Sequence, residues 1–151
     1  LGGRKSFEID TNTYSNHFWV VKTDSDGNIE WENTFGRGKC YSVQQTLDGG
    51  YIIVGYTFVS SENKDMWLIK TDSEGNEEWE KTFGGYDDDW GYSVQQTIDY
   101  GYIISGVTDI NSSDCNLCGN DIWLIKIYSE SNQQLHKNAN LFIYELDLNI
   151  Y

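Results

Sequence analysis

Proline is missing from this 151-residue chain, and cysteine occurs only three times. Cys40, Cys115 and Cys118 are an odd set, no disulfide framework, and they leave the redox compartment open. Basic side chains are scarce as well: 10 Lys and Arg stand against 24 Asp and Glu, a formal charge of −14. Nucleic-acid binding depends on cations that neutralise phosphates, so this balance argues against it, and an anionic membrane surface would repel the chain. The plain reading of the acidity is solubility, with carboxylates spread over solvent-facing turns, and the sharper one is a cation-binding surface. No apolar run approaches the ~18 residues that cross a bilayer, so membrane insertion is not expected. Stretches of helical apolar period are lacking, as are a phosphate-cradling glycine loop and a nucleophile set beside a base.

What is present is aromatic. Eleven Tyr, six Trp and six Phe sit in short runs rich in Val, Ile, Tyr, Trp and Thr, cut by Gly, Asp, Asn and Ser. Such runs predict an all-β fold in which rings fill much of the core.

One stretch is written more than once. MWLIKTDSEGNEEWEKTF, Met66 to Phe83, has an earlier copy at Phe18 to Phe35, FWVVKTDSDGNIEWENTF, and a third start at Ile122. The interval from Trp19 to Trp67 sets a period of about 48 residues. Within a unit the pattern predicts four strands: Phe18 to Thr23; Ile29 to Phe35; the alternating Tyr41 to Thr46; and Tyr51 to Thr57. Gly36-Arg37-Gly38 is expected to break the second from the third, and Asp48-Gly49-Gly50 to form a hairpin turn. Residues 18–65 then make one unit, 66–121 a second, and 122–151 a partial, divergent third with a tail. Residues 1–17 read as the remnant of a preceding unit, since Gly2 to Ile9 lies over Gly49 to Tyr56. Four strands per period of this length is the pattern of a propeller blade.

Trp67-Leu68-Ile69-Lys70-Thr71-Asp72, followed by Gly75 and Trp79, resembles the repeat of secreted multi-blade β-propeller proteins of bacteria and archaea. The core D-x-x-G-x-x-x-W, Asp24, Gly27 and Trp31 and again Asp72, Gly75 and Trp79, is similar to the tryptophan-docking repeat of the quinoprotein-like propellers. That superfamily holds both pyrroloquinoline-quinone dehydrogenases and non-catalytic assembly lipoproteins. The resemblance covers roughly residues 18 to 137. It implies a propeller of four-stranded antiparallel blades, an extracellular or cell-surface location, and docking of Trp31 and Trp79 between neighbouring blades. Leu135, where a third Trp would stand, departs from the pattern. About two and a half blades cannot close a ring, because propellers use about four or more. Further blades, from the same chain or another, are therefore expected partners.

Three constellations could carry chemistry. Asp24, Asp26 and Asn28, like Asp72, Glu74 and Asn76, place oxygens at alternate positions of a tight turn. Calcium loops do this, and so do ordinary turns. No cofactor is expected, and calcium is the one candidate these turns offer. Tyr86, Asp87, Asp88, Asp89 and Trp90 join three carboxylates to two aromatics in one joint. That joint suits a cation, or a sugar stacked on Trp90, or serves as a solvated connection with Trp90 folded back over the sheet. Cys115 and Cys118 have half of a zinc site's spacing without a second pair, so a local disulfide or two inert thiols is the simpler reading. Lys22, Lys70 and Lys126 recur in phase and are expected to pair with in-phase carboxylates. The expectation is a non-catalytic module that binds protein or glycan or acts as a scaffold. The alternative is a domain of a quinoprotein-like or glycoside-active enzyme.

Overall fold

The computed structural model describes residues 2–9, 13–60, 63–109 and 119–128. Cys115, Cys118, Leu135 and the tail, which figure in the sequence reading, lie outside the described residues. Among the described residues there is no helix, and nine strands follow in order: β1 (Gly2–Ile9), β2 (Thr13–Thr23), β3 (Ile29–Gln45), β4 (Tyr51–Phe58), β5 (Lys64–Thr71), β6 (Glu77–Phe83), β7 (Asp89–Gln96), β8 (Tyr102–Asp109) and β9 (Asn120–Ile127). All pairings are antiparallel. The strands run in chain order, β1 to β6 in one hydrogen-bonded series and β7 to β9 in another. Each joins its sequence neighbour, so short turns suffice as connections.

The break expected at Gly36-Arg37-Gly38 does not occur. Strand β3 runs unbroken through it, but it changes partner there. Residues up to Arg37 pair with β2, and those from Gly38 onward pair with β4. Glycines at 36 and 38 let the strand bend between two sheets without ending it. The segment Gly38–Gln45 therefore heads a meander that continues through β4, β5 and β6.

That meander is covered on both faces, and the alternation of side chains shows how. In β4 and β5, Ile52, Val54, Met66 and Leu68 point one way and pack with Val94, Tyr102 and Ile104 of β7 and β8. Ile53, Trp67 and Ile69 point the other way and pack with Phe18 and Val20 of β2. Period-two strands buried on both faces must be apolar throughout, which is why YIIVGY and MWLI show no polar interruption. Rings lock the seams: Phe18 meets Trp67 at 5.0 Å between centroids and Phe35 edge-on at 6.3 Å. Burying Leu68 or Ile69 contributes about 1.5–3 kcal/mol each, whereas a surface ion pair gives about 0–1. The face-to-face stack of sheets, rather than the charges, holds the layers together.

Candidate functional site

The two acidic turns are built alike. Asp24 Oδ1 accepts from the amides of Asp26 (2.9 Å) and Asn28 (2.8 Å), while Oδ2 accepts from Asn28 Nδ2 at 2.9 Å. Asp72 repeats this with Glu74 and Asn76 at 2.9, 2.8 and 2.9 Å. The Asn28 and Asn76 amides, chief among these donors, hold both carboxyls below their ordinary range. Each aspartate is thus committed to closing its own loop, as an Asx turn does. Gly27 and Gly75 take the left-handed φ the turn needs, 88° and 83°. Among the described residues, no three His, Cys, Asp or Glu side chains gather in a way that could hold a metal.

The second turn is also a landing surface. Trp31 Nε1 donates to Ser73 O at 3.1 Å, and Asn33 Nδ2 donates to Gly75 O at 2.6 Å. A Cβ on Gly75 would lie 2.7 Å from the Trp31 ring, so only glycine lets the indole sit so close. Trp79, one period later, packs against the core beside Tyr102, 5.8 Å between centroids. The in-phase lysines all meet carboxylates. Lys22 pairs with Glu30 at 2.8 Å, Lys70 with Glu78 at 2.8 Å and Asp48 at 3.0 Å, and Lys126 with Asp99 at 2.7 Å. Lys70 is buried, and burial opposes its charge, but Glu78 and Asp48 outweigh that and its pKa stays raised.

The joint between β6 and β7 divides its residues. Tyr86 is fully exposed. Asp88 accepts from the Lys64 amide at 2.9 Å and forms an ion pair with the Lys64 ammonium. Asp89 is buried, at 1% exposure, and burial pushes its carboxyl up. Trp90 is half-buried with the Lys64 ammonium 5.7 Å from its ring. The five residues do not form one cup: the three carboxylates go to an ion pair, a buried seat and a partly covered loop position.

A larger aromatic face extends from Trp90 and was not apparent from the sequence. Tyr41 and Tyr92 stand 5.1 Å apart between centroids, Tyr41 is 6.0 Å from Tyr56, and Tyr56 is 5.4 Å from Phe58. Both Tyr41 and Tyr92 sit where the register slips, between Cys40 and Ser42 in one pair of strands and between Gly91 and Ser93 in the other. A bulge re-aims its side chain, and here two bulges bring two exposed rings together across sheets. Lys39 lies 4.8 Å from the Tyr41 ring and Arg37 5.3 Å from Phe58, so cations rim the face. The signal available in the sequence was the phase: Tyr41 and Tyr92 occupy equal positions of two units.

Two further features lack chemistry. Cys40 is half-buried, and burial pushes its thiol up to about 11, far from a reactive thiolate. A half-open cleft of about 280 Å³ beside β2, β3 and β4 is lined by Val20, Trp31, Val43 and Tyr51 among others, with Lys22 tied to Glu30. Neither a scan of protein-family models nor a search of curated proteins gives a match.

Proposed function

We propose that this chain is a non-catalytic repeat module of the β-propeller kind, acting outside the cell or on its surface as a scaffold whose aromatic face binds glycan or protein. The observation that carries the binding part is the pair of in-phase bulge tyrosines, Tyr41 and Tyr92, exposed together with Lys39 over the Tyr41 ring and joined through Tyr56 to Lys64 and Trp90. Flat rings of this kind stack on sugar faces and anchor protein partners. The propeller reading is supported by the meander Gly38–Gln45, β4, β5 and β6, flanked on each face by sheets one period away in sequence. The link between Trp31 and the Ser73–Gly75 turn supports it too, because it ties one repeat to the next. Location outside the cell rests on the resemblance of the Trp67–Trp79 stretch to secreted propeller repeats.

The test is glycan-array and calorimetric binding with the Tyr41→Ala/Tyr92→Ala double variant as comparison. Binding that falls at least tenfold in the variant fits the proposal. Binding that survives the double substitution removes the face from consideration, and turnover with a quinone or glycoside substrate overturns the non-catalytic reading.

A further inference from the structure

At the β6–β7 joint a buried carboxylate meets a half-buried one, and no cation stands beside them among the described residues. Asp65 of β5 and Asp89 of β7 converge on the same face of Gly84. Asp65 Oδ1 and Asp89 Oδ2 lie 2.5 and 2.7 Å from the position a Cβ on Gly84 would take. Nothing but hydrogen fits there, and the two acids face each other across that gap. Asp89 is almost wholly enclosed, yet its Oδ1 has no hydrogen-bond partner, while its Oδ2 receives the Gly85 amide at 3.1 Å and the Thr108 hydroxyl also favours the charged carboxylate. Asn63 adds a second buried oxygen without a partner, its Oδ1, while its Nδ2 donates to Gly85 O at 2.8 Å and reaches Asp65 Oδ1 at 3.4 Å.

The geometry points to a calcium site formed by Asp65, Asp89, the Gly85 carbonyl and Asn63, whose amide turns over so that Oδ1 takes the place Nδ2 now holds beside Gly85 O and Asp65. A buried oxygen left unpaired costs free energy, and a second carboxylate brought beside it costs more. A divalent cation removes both costs, since two negative charges neutralise it and the orphaned oxygens become ligands. All the donors are oxygens, the set a hard cation takes. Two carboxylates able to bind through both oxygens, plus an amide and a carbonyl, supply about six ligands, the low end of what calcium accepts, in an irregular geometry that magnesium does not take. The neighbouring charge is already spoken for: Lys64 is paired with Asp88, so among the described residues no cation competes for the seat. Burial, and for Asp65 the presence of Asp89, raises both carboxyls, in keeping with a pair that lacks its counter-ion. This site is separate from the acidic turns, whose aspartates are committed to their own backbones.

The experiment is calorimetric titration of the whole chain with calcium chloride after treatment with a chelator. Terbium luminescence excited through tryptophan gives a second readout, as Trp90 adjoins Asp89. One saturable site is expected, accompanied by a rise in Tm. Asp65→Asn and Asp89→Asn, which keep side-chain shape and remove charge, should each weaken binding at least tenfold. Without calcium both should be as stable as the parent or more so, which guards against reading misfolding as lost binding. Asp24→Asn and Asp72→Asn should leave the titration unchanged. No binding by the parent chain at millimolar calcium overturns the site, and so does binding that persists in Asp89→Asn or disappears in Asp72→Asn. A Tm that rises only on acidification, with no response to calcium, shows a carboxyl pair sharing a proton and likewise overturns it.

Discussion

Strands β5 and β9 contain nearly the same words, MWLIKT from Met66 and IWLIKI from Ile122, yet they live in different surroundings. Trp67 and Trp123 both pack on the sheet that precedes them in the chain. The other face separates the two. Met66 and Leu68 are fully buried under β7 and β8, whereas Ile122 and Leu124 are 79% and 57% exposed among the described residues. Sequence sets the alternation of faces, but a neighbouring layer decides whether a face is core. Strand β9 is written for two neighbours, and the described residues supply one.

The largest effect should come from the matching leucines. Leu68→Ala removes a side chain sealed between layers and should cost about 2–5 kcal/mol of unfolding free energy, whereas Leu124→Ala should change it by less than about 0.5. Urea unfolding followed by tryptophan fluorescence measures both. An equal loss at the two positions would break the comparison, because it would mean that something covers β9 in solution.

The next contrast lies in the turns that lead out of β2 and β5. Gly27 and Gly75 share a left-handed φ, so alanine is strained at either by about 1–2 kcal/mol. At Gly27 a Cβ would meet nothing within 4 Å, while at Gly75 it would meet the Trp31 ring at 2.7 Å. Gly75→Ala should therefore cost more than Gly27→Ala, and it should also shift the tryptophan emission spectrum as the indole is pushed off. Similar losses without a spectral change would mean that Trp31 contributes little to the joint between repeats.

Much of this was legible before the structure. The period, the Asp-x-x-Gly turns and the lysines that meet carboxylates follow from the phase of the repeat, because side chains at equal positions see equal neighbours. The β3 bend was misjudged because glycine both ends strands and kinks them, and only the change of partner at Gly38 tells the two apart. The Tyr86–Trp90 joint stands out in the sequence for three carboxylates beside two aromatics, yet its charges could not be sorted from sequence. Asp88 finds Lys64 and Asp89 finds Asp65 only through the packing of β5 against β7. The Tyr41–Tyr92 pair stayed hidden for a similar reason: a bulge shifts register by one residue, and composition does not record it.

A smaller contrast sits in the hairpins that enter β4 and β8. Both turns hold an aspartate that bonds the amide two residues on, Asp48 to Gly50 at 3.0 Å and Asp99 to Gly101 at 3.2 Å. The residue between is Gly49 in one, at φ 87°, and Tyr100 in the other, at φ 60°. An L side chain there costs roughly 1–2 kcal/mol, partly offset by the greater freedom glycine has in the unfolded chain. Tyr100→Gly should stabilise the protein by about 0.5–1 kcal/mol, read as a higher midpoint in urea. Destabilisation would show that the exposed ring makes contacts worth more than the strain.

The least effect, and the one that sharpens the comparison of β5 with β9 in a different way, concerns their lysines under acid. Lys70 is enclosed by Asp48, Glu78 and the Thr71 carbonyl, whereas Lys126 is more open and draws on Asp99 and Thr97. The Lys126 ammonium, first among several donors, lowers the Asp99 carboxyl to about 2. A depressed carboxyl contributes stability that is present above its unfolded value of ~3.9 and is lost as pH falls through the folded one. The window for Asp99 is therefore from about pH 4 down to about pH 2. Because the pair is solvent-exposed, screening holds its worth to no more than about 1 kcal/mol. Unfolding free energies of the parent and of Asp99→Asn should differ by that amount at pH 6 and converge near pH 2. The Lys70 site should behave otherwise: removing one partner of an enclosed charge costs more than the pair itself is worth. Glu78→Gln, which takes a partner from the enclosed Lys70, should thus destabilise at pH 6 by more than Asp99→Asn, which takes one from the more open Lys126. Equal losses would show that Lys126 is enclosed in solution as Lys70 is, which again requires a further layer on β9.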